Sequence, residues 1–142
     1  MENILYNLVK IDTQTFDFYL DNLDESKSQN KEIKMQIKVN AKFHNIATSS
    51  EIIYKQEERL IVRLQVECVY IIEPKSFKNL INNNIIKLPA PFVKLLFSTT
   101  TSIARGILFD KLEATPLKNE ILPIPEWSDV KDVEQKIDSP IS

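Results

Sequence analysis

Ile33, Met35, Ile37, Val39, Ala41 and Phe43 alternate with Lys34, Gln36, Lys38, Asn40 and Lys42. A period of two predicts a β-strand with one buried face and a solvated, lysine-bearing one. Leu60, Val62, Leu64, Val66, Cys68, Tyr70 and Ile72 alternate in the same way, with Arg63, Gln65 and Glu67 on the other parity, which predicts a second strand. A third spans roughly residues 4–20, where Val9 and Ile11 occupy one parity and Phe16, Phe18 and Leu20 the other. That change of parity implies a bulge or bend near Thr13 to Thr15. Residues 21–31 are polar and without period. Between the two clearest strands the chain can turn at residues 44–50 or at 55–58. Either a hairpin closes early, or a long bent strand takes in Ile52, Ile53 and Tyr54.

Beyond the Asn82-Asn83-Asn84 turn signal the period changes from two to that of a helix. Phe92, Leu95, Leu96, Thr99 and Ile103 fall at i, i+3, i+4, i+7 and i+11, with Val93 and Phe97 as a second apolar row. Prolines 89 and 91 suit the start of this helix, about 90–105, and Gly106 suits its left-handed C′ position. A helix apolar on two sides needs two packing partners. A proline-rich connector, 107–125, follows. Val130, Val133 and Ile137 then recur at helical spacing and predict a C-terminal helix over about 126–138. The expectation is one α+β domain over 1–142, an antiparallel sheet of three to four strands (about 4–73) followed by two helices.

Composition removes several functions. Gly106 is the only glycine in 142 residues, so a P-loop, a Rossmann turn or a GxSxG elbow cannot be built. One histidine, His44, and one cysteine, Cys68, cannot make a Cys/His zinc site, and no cofactor is expected. Cys68 falls on the apolar parity and reads as an inert buried thiol, and His44 as a turn residue. Ser98 to Ser102 have no base at catalytic spacing, so no enzymatic activity is expected. The net charge of −2 supplies no phosphate-tracking stripe, which argues against nucleic acid. The single cysteine and the lack of a signal-peptide pattern or an uninterrupted apolar span point to the cytoplasm. Glu126, Asp129, Asp132 and Glu134 form an acidic face, read as solvated surface, with docking of a basic partner as the sharper alternative.

Ala104-Arg105-Gly106, the apolar Ile107-Leu108-Phe109, the connector Leu122-Pro123-Ile124-Pro125 and the segment from Trp127 onward follow one another in an order that resembles the SecB family of export chaperones. Glu57-Glu58 ahead of the strand from Leu60 to Ile72 is similar to the family's acidic turn and last strand. Residues 9–20 are similar to its first strand. The paired glycines common in the family's last strand are Glu67-Cys68 here, and Ile107 stands where a second glycine often follows. The first-strand acids that dock the SecA motor align with Thr15 and Tyr19, leaving Glu57 and Glu58 to carry that role. Family members that guard antitoxins would fit such a loss.

The resemblance implies an ATP-independent chaperone that holds unfolded client proteins for export or antitoxin protection, and a homotetramer built as a dimer of dimers. Phe92, Leu95, Leu96, Phe97, Thr99, Thr100 and Ile103 would then form the oligomer interface. Candidate client-binding residues are Phe16, Phe18, Tyr19, Tyr70, Ile72, Leu122, Ile124 and Trp127; for Tyr70 and Ile72 ordinary core is an equal reading. A different class, a non-enzymatic adaptor binding one folded partner, uses the same scaffold.

Overall fold

The computed structural model describes residues 3–120, 122–123 and 125–137. The fold is α+β, as expected. Strands β1 (Tyr6–Phe18), β2 (Asn30–Asn40), β3 (Asn45–Gln56) and β4 (Arg59–Ile72) form an antiparallel sheet in the order β1-β4-β3-β2. A short helix α1 (Pro74–Asn79), a hairpin of β5 (Ile81–Asn82) and β6 (Ile85–Leu88), a long helix α2 (Ala90–Leu112) and β7 (Val133–Lys136) complete the order. Strands β5, β6 and β7 make a second, small sheet.

The alternation in β4 buries Val62, Leu64, Val66, Cys68, Tyr70 and Ile72 completely, because β4 lies inside the sheet and α2 covers that face. β3 contributes Ile46, Thr48, Ser50, Ile52 and Tyr54 to the same layer. The question of residues 44–58 resolves as a full-length β3, turned into β4 at Glu57 and Glu58 with φ of 47° and 70°. With a single glycine, the chain places His44, Glu57, Glu58, Asn83 and Asn84 in the left-handed region. Each bears the steric cost that glycine would avoid.

The predicted bulge is present: the β1–β4 register shifts between Thr13 and Thr15, and shifts again between Leu8 and Lys10. The two shifts restore the parity. Leu8, Ile11, Thr13, Phe16 and Phe18 therefore all lie opposite residues of the covered face, Tyr70, Cys68, Val66, Leu64 and Val62.

Three expectations are corrected. The alternation of residues 33–43 stops as a strand at Asn40, where Ala41–Phe43 form a 3-10 turn closed by His44, and Phe43 is exposed. The long helix does not end at Gly106, which has no positive φ. It runs on to Leu112, because Ala104, Leu108 and Leu112 keep burying against the core, and the connector starts correspondingly later. The C-terminal helix is absent: residues 126–132 are not helical, and Val133–Lys136 is a strand on β6, with Val133 opposite Leu88 and Glu134 opposite Lys87. An open edge on β6 outweighs the helical spacing of Val130, Val133 and Ile137; Ile137 is buried, and its N–H donates to the Asn84 carbonyl at 2.8 Å. Helix α2 is also long and apolar enough to cross a membrane, a property that core helices share.

Candidate functional site

A chain of hydroxyl groups pins α2 to the middle of the sheet. Thr48 and Thr100 are hydrogen-bonded to each other, and the Tyr70 hydroxyl lies 2.8 Å from Thr100 Oγ1. Burial pushes the Tyr70 hydroxyl and the Cys68 thiol above their ordinary pKa values. Because the helix is centred on β3 and β4, β1 lies to one side of it.

Helix and strand are tied at both ends. The Tyr6 ring meets the edge of Phe92 at 5.3 Å, and the Lys111 ammonium sits 5.0 Å from the centre of the Phe16 ring. Between these ties Leu8 and Ile11 sit on the helix-covered face of the sheet yet are 38% and 50% exposed. Thr99 and Ile103 continue, at i+7 and i+11, the helical row that begins at Phe92, and both are half-buried. Leu95 beside them is 45% exposed. The result is an apolar strip, partly exposed, along β1 and the flank of α2. Its outer boundary is the free edge of β1, which among the described residues is paired on the β4 side alone; Val9, at a bulge, is 51% exposed.

Of the client-binding candidates, Phe16 and Phe18 are half-buried against the core, while Tyr19 is 44% exposed just past the end of β1. Tyr70 and Ile72 are fully buried and belong to the core. Leu122 is buried too, its carbonyl accepting a hydrogen bond from Arg105 Nε at 3.1 Å. Trp127 is half-buried, its ring 5.6 Å from that of Phe97. Ile124 lies outside the described residues.

The second apolar side of α2 is thus met in part by the chain's own connector. Phe92, Leu96 and Thr100, read above as interface, are buried in the protein's own core, and Phe97 packs on Trp127. Thr99 donates its hydroxyl to the Leu95 carbonyl at 2.9 Å, the self-satisfaction that lets hydroxyl residues sit in a helix. Pro91, Leu95, Ser98, Ser102, Gly106, Phe109, Asp110 and Lys111 are the exposed positions of α2. Glu57 and Glu58 are exposed in the β3–β4 turn, and Glu57 is held by Lys27 at 2.7 Å. Of the acidic residues 126–134, Asp132 accepts a hydrogen bond from the Ala90 N–H at 2.7 Å. This contact at the start of α2 holds its carboxyl below the ordinary value, with Lys87 assisting.

Leu8 was not singled out by the sequence, and Val9 and Ile11 only as strand residues. Their alternation reads the same whether a helix covers them or stops short. Among the described residues no three His, Cys, Asp or Glu side chains gather as a metal site.

No family model matches the chain, and no curated protein matches it. One solved structure, a protein of unknown function from Streptococcus agalactiae, is similar at a TM-score of 0.47 and 12% identity, over 88% of this chain and 99% of that one.

Proposed function

We propose that this protein is an ATP-independent holding chaperone of the cytoplasm, of the kind the SecB resemblance implies, binding non-native polypeptide on an oligomer, with a homotetramer as the expected form. One observation carries the reading: Leu8, Val9 and Ile11 are exposed on a 13-residue strand whose outer edge is unpaired among the described residues, with Leu95 of α2 exposed as well. An open, apolar strand edge is a hazard unless something pairs with it. Unfolded chains supply what it lacks, backbone groups for the ladder and apolar side chains for the strip. Such binding reads little sequence, because burial is worth roughly 25 cal/mol per Å2 whatever residue provides it. The carboxylates Glu57 and Glu58 remain the candidates for SecA, and an antitoxin is the alternative destination of the client.

The test is suppression of aggregation of a chemically unfolded client, with the mass in solution measured alongside. Leu8→Lys and Ile11→Lys are expected to remove most of the protection while changing stability by no more than about 0.5 kcal/mol, since both side chains are exposed. A protein that protects no client, or variants that protect as well as the parent, overturn the reading. Capture of one folded partner at fixed stoichiometry favours the adaptor.

A further inference from the structure

In the C-terminal half of α2, Ser102, Arg105, Gly106, Leu108 and Phe109 line, with Glu120 and Leu122, a half-open cavity of about 260 Å3. Leu108, Phe109 and Leu122 are its apolar walls. Arg105 also lines it, its Nε fixed by the Leu122 carbonyl, and its guanidinium makes no ion pair among the described residues. Glu120, the carboxylate of the lining, is engaged by Lys31 at 2.9 Å. A positioned guanidinium beside apolar walls matches a carboxylate, which it can bind through two parallel hydrogen bonds. Gly106 lies in the same wall, and a Cβ there would meet nothing within 4 Å. Nothing within the chain requires a glycine at this helical position, where it is a poor helix former. Its lack of a side chain keeps the cavity open.

We propose that this cavity binds a small carboxylic acid with an apolar body, the carboxylate on Arg105 and the body against Leu108, Phe109 and Leu122 over Gly106. The proposal does not rest on the polypeptide-binding reading. Titration of the full 15N-labelled chain with 3-phenylpropionate is expected to give saturable shifts centred on the Gly106 amide and the Arg105 Nε–H. The corresponding alcohol, 3-phenylpropan-1-ol, should bind at least about tenfold more weakly, the value of a charge-assisted hydrogen bond. Arg105→Gln should abolish that preference, and Gly106→Leu should abolish binding with an unchanged far-ultraviolet CD spectrum. Absence of saturable shifts up to about 10 mM acid, equal binding of acid and alcohol, or a preference that survives Arg105→Gln overturns the proposal. The glutamine variant decides it even if the leucine variant does not fold.

Discussion

Tyr54 shows what full burial does to a single polar side chain. It points into the layer between β3 and α2, and its hydroxyl, like that of Ser50, has no hydrogen-bond partner among the described residues. Burial is the main cause that pushes its pKa from 10.0 up to about 12, with Glu120 adding to the rise and Arg105 opposing it. The folded protein therefore holds the neutral phenol more firmly than the unfolded chain does. That contribution is present below pH 10 and is lost as the pH climbs from 10 toward 12. Stability against urea is expected to decline across this window, and Tyr54→Phe to make the decline shallower. At neutral pH the same substitution should be close to neutral, since it removes an unsatisfied group. A decline of the same steepness in both proteins would count against this account. The alternating pattern of β3 placed Tyr54 only as part of one of two alternatives; the missing partner is a property of the packed layer and has no trace in the sequence.

At the scale of elements, the strands were legible because their signal is local. One buried face gives a strict period of two in β2 and β4, and the change of parity in β1 marked a true bulge at Thr13 to Thr15. The helix was legible in its start and its buried row but not in its end. A lone glycine is a stop signal when nothing beyond it packs, yet Leu108 and Leu112 do pack here, and their burial outweighs a propensity difference of about 1 kcal/mol. Gly106→Ala is accordingly expected to raise stability by up to about 1 kcal/mol, read as a higher thermal midpoint, because the added methyl meets no neighbour within 4 Å. A drop in midpoint would show that the glycine serves the helix itself. The segment 126–137 failed in the opposite way. Its apolar residues fit a helical period, but the free edge of β6 offered backbone hydrogen bonds that a short exposed helix could not match.

Across the whole molecule, the small sheet is tied to the large one by a side chain acting as backbone. The Gln135 amide accepts from the Val39 N–H at 3.2 Å and donates to the Val39 carbonyl at 2.9 Å, so it fills a ladder position at the edge of β2 from 96 residues away. Gln135→Ala is expected to speed hydrogen exchange at the Val39 amide and, as β7 loosens, at residues of β6, with little change in the centre of β4. Unchanged exchange at Val39 would mean that the clip carries no weight. The clip also blunts part of the β2 edge, while β1 on the opposite side of the sheet is paired, among the described residues, on its β4 side alone.

The sequence by itself determined the fold class, the strands β1, β2 and β4 and the exclusion of glycine-built nucleotide sites, because periodicity and residue type are local quantities. Only the tertiary structure decided which apolar residues stay exposed. Leu8 and Ile11 share the covered face with Phe16 and Phe18 only because two register shifts intervene, and Leu95 follows the same helical spacing as Leu96. Their exposure follows from where α2 lies on the sheet and from which side of it the connector takes. Those positions are set by contacts between residues far apart in the chain, such as Thr48 with Thr100 and Phe97 with Trp127, and no local pattern encodes them.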